Sequence, residues 1–122
     1  MGIVYLSNDT GTPIVSGGVI PMTTIRRRKN SCIDTSMAIK SGWYEFTADA
    51  TLASTVGGLA TITLYQDGVA IEASATTIPA GGEVTIPLSS VVRSCCGGSV
   101  LTLVYTGPVL TGTTASVVIE NV

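Results

Sequence analysis

The sequence predicts an all-β domain, an antiparallel β-sandwich of the jelly-roll type with eight to ten short strands. Three observations lead to this fold class: the composition, a period of two in the apolar residues, and closely spaced turn residues. The 122 residues are 45% hydrophobic and 11% charged, against about 25% charged in an average domain. Much of the apolar share is Val and Ile, which fit the pleated surface of a sheet. A chain of this length builds one core and therefore one domain.

The alternation is clearest over residues 42–53. Every second side chain there is apolar and polar side chains lie between, which indicates a strand with one buried face. Residues 59–66 alternate in the same way, and Asp67-Gly68 separates them from 69–71. Asp-Gly between two such runs predicts a tight hairpin, because both central residues of that turn need positive φ. The inward set of the first strand is Tyr44, Phe46, Ala48, Ala50 and Leu52.

The remaining strands are expected on both sides of this central hairpin. Towards the C-terminus we expect strands over 83–88, 100–106 and 114–122. The N-terminal part is less regular, with extended pieces at 3–6, 14–15 and 19–25, a polar break at 26–30 and short strands near 33 and 37–39. We therefore predict a single domain in which residues 1–40 are an N-terminal anchoring or extended segment, packed on or leading into the jelly-roll body at 41–122.

The residue types argue against an enzyme. The chain has no histidine, which excludes a Ser–His–Asp or Cys–His arrangement within one chain. Two carboxylates could still meet in space as in a glycosidase, but acids such as Glu45 and Asp49 lie on the polar face of a strand and are expected to be solvated. We predict no catalytic residues and no cofactor.

Charge and hydropathy exclude two kinds of partner. The net charge is −2, whereas a general nucleic-acid binder needs a strongly basic surface. No apolar run approaches the roughly 18 residues of a membrane-spanning helix. The start of the chain lacks the features of a secretory signal, so we expect assembly inside a cell, with no nucleic acid and no membrane as partner.

The cysteines are unusual in number and spacing. With no C-x-x-C spacing and no histidine, they predict no metal site. A disulfide from Cys32 to Cys95 or Cys96 would need an oxidising compartment, and the third cysteine could then pair between chains. The favoured alternative is that all three stay reduced and act as small apolar residues near a loop. The three are Cys32, Cys95 and Cys96.

Four of the six basic residues are consecutive: Arg26, Arg27, Arg28 and Lys29. They are a candidate docking patch for an acidic partner surface or for phosphate. The alternative, which we favour, is a solvated loop or a charged edge strand that resists aggregation. If chains assemble around an axis, these cations could also pair with Asp34 or Glu45 of a neighbouring copy.

Two strands carry apolar residues on both faces. In 101–105 and 117–119 the outer positions include Val104 and Val118. One sandwich has one core, so a second apolar face needs another cover, and oligomerisation supplies one.

The central residues resemble a known family. Gly42–Ala48, with the pattern Gly-x-Tyr-x-aromatic, and Thr61–Gly68, which ends in Asp-Gly, are similar to consecutive strands of the trimeric jelly rolls related to tumour necrosis factor and to the complement globular head. A closing strand at the C-terminus agrees. More closely, residues 42–122, including Arg93–Cys96, resemble small phage and prophage proteins of gut Firmicutes, which form virion fibres and decorations or heads of collagen-like spore fibres.

This resemblance implies a homotrimer and brings no catalytic residues. The chain has no Gly-x-y collagen stalk, so any anchoring is expected of the first forty residues. Candidate positions for packing between the three copies are Tyr44, Tyr65, Val104, Tyr105 and Val118.

The function expected from this resemblance is a trimeric phage capsid decoration or head-fibre protein. It would bind itself and a major capsid or other virion protein, on a virion surface assembled in the host cytoplasm. The alternative is an adhesive head that recognises a host surface glycan or protein, on a virion or on a bacterial cell or spore surface.

Overall fold

The computed structural model describes residues 2–95 and 97–122, and this part of the chain forms two packed antiparallel sheets without a helix. One sheet has the strand order β2-β1-β9-β4-β7 and the other the order β3-β8-β5-β6. The predicted all-β jelly-roll class is confirmed, and nine strands fall within the predicted number. The strands are β1 (Ile3–Asn8), β2 (Thr24–Lys29), β3 (Ala38–Ile39), β4 (Gly42–Ser54), β5 (Gly58–Gln66), β6 (Val69–Ile78), β7 (Gly82–Ser94), β8 (Ser99–Thr106) and β9 (Gly112–Asn121).

The core lies between the two sheets, where the period-two alternation points the apolar residues. The predicted inward set of β4 is buried throughout, and Phe46, Ala50 and Leu52 have no exposed surface. Ile62 of β5 and Leu103 of β8 meet them from the other sheet and are also fully buried. Each such large side chain contributes roughly 1.5–3 kcal/mol through its burial, so the alternation directly determines which face of each strand turns inward.

The central hairpin forms as the Asp-Gly pair predicts. Asp67 and Gly68 both have positive φ, 52° and 82°. Asp67 has a second role, because its carboxylate accepts a hydrogen bond from the Val100 backbone N–H at 2.9 Å. The turn residue therefore also ties the β5–β6 hairpin to the start of β8.

Residues from the N-terminal part of the chain pair with both sheets of the sandwich. β1 lies between β2 and β9 inside the five-stranded sheet. Residues 17–20 bond to the outer edge of β8, with Gly17 N donating to Tyr105 O at 2.7 Å and Ile20 N donating to Leu103 O at 2.9 Å. A boundary at residue 40 thus does not divide the folded structure, and an anchoring role for residues 1–40 stays a prediction.

The polar break expected at 26–30 is wrong for most of its length, because Thr24–Lys29 is strand β2. β2 is an edge strand, and its side chains are exposed except for the half-buried Ile25. An edge strand with two solvated faces shows no apolar alternation, so its sequence resembles a loop.

Candidate functional site

The basic run lies along a free sheet edge. β2 is the last strand of its sheet, and Arg26–Lys29 are all exposed. Arg26 Nη1 lies 3.0 Å from Asp9 Oδ2, the one ion pair within residues 2–95 and 97–122. Both side chains are more than half exposed, so the pair contributes at most about 1 kcal/mol. Cations on an edge oppose pairing with another strand, whereas docking of an acidic partner or of phosphate here stays a prediction.

The two acids named as inter-chain partners of this run differ in their surroundings. The pKa of Asp34 is held below its ordinary value of 3.8, first by the hydrogen bond from the Ser36 hydroxyl and further by the Ser36 backbone N–H and the charge of Arg28. Asp34 therefore already has partners in its own chain. Glu45 instead lies directly opposite Glu120 across the β4–β9 pair, and neither acid forms an ion pair with a described residue.

Rows of side chains cross the outer face of the five-stranded sheet. The strand register aligns Tyr5 with Val118 and then Thr47, and it aligns Ile3 with Glu120 and then Glu45. Tyr5 is 36% exposed, and Ile3 and Val118 are half-buried. This face combines apolar side chains with two like charges that repel each other.

Two of the five positions expected to pack between chains lie in the core instead. Tyr44 is 4% exposed and Tyr105 is fully buried, because both occupy inward positions of their strands. The Tyr105 hydroxyl donates to the Pro108 carbonyl, and burial raises the pKa of Tyr105 above 10.0. The prediction is therefore wrong for these two side chains. Tyr65, Val104 and Val118 are half-buried at outward positions, where packing between copies stays a prediction.

Cys32 and Cys95 are not joined by the intrachain disulfide considered from the sequence, and both are exposed. The favoured alternative, reduced cysteines near a loop, stays a prediction. Cys96 lies outside the described residues.

A cavity opens at the end of the sandwich where β1 begins and β9 ends. Its volume is about 320 Å³. Tyr44 and Ile33 line it from the core, and Lys40 lines it from the β3–β4 turn. No sequence pattern marked this site, since its residues come from separate loops and strand ends. The other polar residues that line it are Asn30, Ser31, Cys32, Ser41 and Asn121.

The described residues contain no group of three His, Cys, Asp or Glu side chains placed to hold a metal ion. Among these same residues no helix is long and apolar enough to cross a membrane. Neither finding bears on what the cavity binds.

Comparisons with known proteins identify structures of similar fold but no family of similar sequence. No protein-family model matches the chain, and no curated protein matches it.

Solved structures match over the whole chain. The globular domain of the zebrafish complement 1qA protein is similar with a TM-score of 0.79 at 8% identity, covering 100% of this chain and 98% of that one. The PRD1 vertex protein P5 has a TM-score of 0.65 at 14% identity, covering 99% and 96%. Eiger TNF from S. frugiperda has a TM-score of 0.67 at 8% identity, covering 100% and 92%. At these identities the likeness shows the fold, which is the jelly roll of the tumour necrosis factor and complement 1q proteins.

Proposed function

We propose that the chain is a non-enzymatic structural protein that assembles as a homotrimer and decorates a phage virion as a capsid decoration or head-fibre protein. The observation that carries the proposal is a sheet edge open to pairing, together with an uncovered sheet face. A second copy of the chain could cover both.

The edge most open to pairing is β6. Three other sheet edges of the described structure carry features that oppose strand pairing. β2 carries four cations, β7 contains Pro87, and the edge of β8 is paired with 17–20 and with β3. β6 has no proline and no cation, and Glu72 is its one charged residue. Residues 69–73 are exposed on both faces, with Val69 at 65% and Ile71 at 36%, and a long exposed edge of this kind is a template for association.

The uncovered face is the outer side of the five-stranded sheet. Ile3, Tyr5 and Val118 supply its apolar surface. The paired acids Glu45 and Glu120 cost some stability, and β6 carries no cation to offset them, so the proposed contact rests on the apolar side chains.

The β6 edge and the outer sheet face are different surfaces, so a contact between the edge of one copy and the face of the next would be head-to-tail. Such a contact closes into a ring when the rotation between copies permits it. The β6 edge of one copy, with Val69 and Ile71, would pack on the Tyr5 and Val118 row of the next. The number three comes from the resemblance of 42–122 to trimeric jelly rolls.

The likeness to the PRD1 vertex protein P5 supports a place on a virion. The partner there would be the major capsid protein or another virion protein. The second candidate, an adhesive head, is favoured by one observation: Trp43 is 53% exposed and Arg93 lies 5.5 Å from its ring centroid, a surface able to stack on another ligand.

Light scattering after size exclusion tests the assembly. We expect the mass of three chains with and without reductant, because the proposed contacts are non-covalent. Ile71→Lys should lower the mass towards one chain, since it places a charge in the contact. Val15→Lys, at an apolar residue that is more exposed (63% against 36%) and lies outside β6, should leave it unchanged. A monomeric wild type would overturn the trimer.

Co-sedimentation tests the location. The protein should pellet with purified virions of its source phage that lack it and should not pellet with host cell envelopes. Binding to envelopes alone would replace the decoration role with the adhesive one.

A further inference from the structure

The cavity beside Tyr44 is lined by polar groups that make no hydrogen bond to a described residue. Tyr44 is 4% exposed, yet its hydroxyl makes no hydrogen bond within the described residues. The side-chain amide of Asn121 and the ammonium of Lys40 likewise have no partner among them. Thr113 Oγ1 is the one buried side-chain atom without a partner among the described residues, so the Tyr44 hydroxyl reaches the open cavity. These polar groups can therefore bond to water or to a ligand that enters the cavity.

These groups converge on one space. A Cβ atom placed on Gly42 would lie 3.8 Å from Tyr44 Cε1 and 3.9 Å from Asn121 Nδ2, so the ring and the amide flank the same glycine. Lys40 also lines this cavity from the β3–β4 turn, and Ile33 adds an apolar wall. The cavity thus combines directional polar groups with an apolar surface, as ligand sites do.

The lining residues define the chemistry of the occupant. Among the described residues that line the cavity, Lys40 is the only charged one and none is a carboxylate, so the site favours an anion with a single charge. Asn30, Asn121 and the Tyr44 hydroxyl can donate to and accept from hydroxyl groups. A volume of about 320 Å³ lies at the small end of the roughly 300–1,000 Å³ of ligand pockets.

We propose that this cavity binds a sugar acid, a single hydroxylated ring that carries one carboxylate, such as a glucuronic acid unit. Lys40 pairs with the carboxylate. Tyr44 and Asn121 hydrogen-bond to ring hydroxyls, while the Tyr44 ring and Ile33 contact the apolar face of the sugar. The proposal does not depend on the virion role or on trimer formation, since all of these residues belong to one chain.

Titration of the full, isotope-labelled chain with sodium glucuronate, followed by amide NMR spectra, tests the site. Glucose and acetate are the matched probes, since glucose supplies the hydroxyls without the charge and acetate supplies the carboxylate without the ring. We expect glucuronate to shift the amide signals of Ser31 and Ser41 with a dissociation constant on the order of 1 mM or tighter. Glucose and acetate should each bind about tenfold more weakly or worse. Equal binding of either probe, or no shift with glucuronate, overturns the proposal.

Substitutions assign the roles of the residues. Lys40→Gln should weaken glucuronate binding about tenfold, whereas Lys29→Gln, which removes a cation outside the cavity, should not change it. Tyr44→Phe keeps the buried ring and removes only the hydroxyl, and it should weaken binding severalfold, with Tyr65→Phe as its unchanged control. Shifts that persist at full strength in Lys40→Gln would place the ligand elsewhere and refute the site. Because these readouts are measured per chain, a monomeric protein that binds glucuronate would refute the trimer and leave this inference standing.

Discussion

Replacing Asn8 with Ala should destabilise the segment between β1 and β2, residues 9–23, more than any substitution of an exposed residue in that segment. Asn8 is fully buried and forms four hydrogen bonds. Its Nδ2 donates to Pro21 O at 2.8 Å and to Thr12 Oγ1 at 3.2 Å. Its Oδ1 accepts from the Thr10 backbone N–H at 3.1 Å and from the Thr10 hydroxyl at 2.7 Å. One side chain thus joins the beginning and the end of residues 9–23.

The magnitude follows from what the substitution leaves unpaired. Thr10 is exposed, so its donors can turn to water, whereas Pro21 is half-buried. Each hydrogen bond contributes about 0.5–1.5 kcal/mol net, and each buried group left without a partner costs about 1–3 kcal/mol. We expect Asn8→Ala to lower the free energy of unfolding by about 3 kcal/mol, a large share of the roughly 5–15 kcal/mol of a typical domain.

Urea denaturation at one fixed protein concentration measures this loss, because association would make the midpoint concentration-dependent. With a denaturant slope of about 1.5 kcal/mol per molar, the midpoint should fall by about 2 M. Asn121→Ala is the matched control: that side chain has no hydrogen bond to a described residue, so its midpoint should hardly move. A loss below about 1 kcal/mol for Asn8→Ala would refute the assigned role of the hydrogen-bond network.

Two further predictions concern a turn and a buried hydroxyl. Gly57→Ala should lower the free energy of unfolding by more than about 3 kcal/mol, because φ is +70° and the new Cβ would lie 2.7 Å from Ile78 O. Gly81→Ala, at φ +72° with no atom within 4 Å of the new Cβ, should lower it by only about 1 kcal/mol. Equal losses of stability in urea denaturation would contradict this reasoning. Burial raises the pKa of Tyr105 above 10.0, so the folded state resists ionisation and its stability should fall as pH rises through about 10. Tyr105→Phe should be less stable than the wild type at pH 8, because it has lost the hydrogen bond to Pro108 O. Between pH 8 and 11 its free energy of unfolding should fall less than that of Tyr65→Phe, which keeps Tyr105. Parallel declines in the two variants would exclude Tyr105 as the cause.

The strands that could be predicted from sequence are those marked by a pattern of residues that are neighbours in the chain. Alternation over β4 and β5 and the Asp67-Gly68 turn depend on neighbouring residues, and the structure confirms them. β2 was missed because its partner β1 lies about twenty residues away and both its faces are solvated. Tyr105 was misplaced for a related reason: alternation separates the two faces of a strand but does not say which face an oligomer would use.

The candidate site was even harder to predict from the sequence, because its residues are far apart in the chain. The Asn30, Lys40 and Asn121 side chains that meet at the cavity come from two loops and the last strand. Nothing in the residues next to each of them marks a binding role. Two lining residues stood out for other reasons, Cys32 as a thiol and Tyr44 for packing between copies. The alternation of β4 correctly placed Tyr44 facing inward.

By itself the sequence determined the fold class and excluded histidine-based catalysis, because composition, strand period and residue inventory do not depend on how distant segments meet. The tertiary structure alone decided which strands lie at sheet edges, that β1 and residues 17–20 pair with the two sheets, and that Tyr44 faces a polar cavity. These features arise from pairings between residues far apart in the chain, such as Gly2 with Asn121. A single sequence carries no local signal for such pairings.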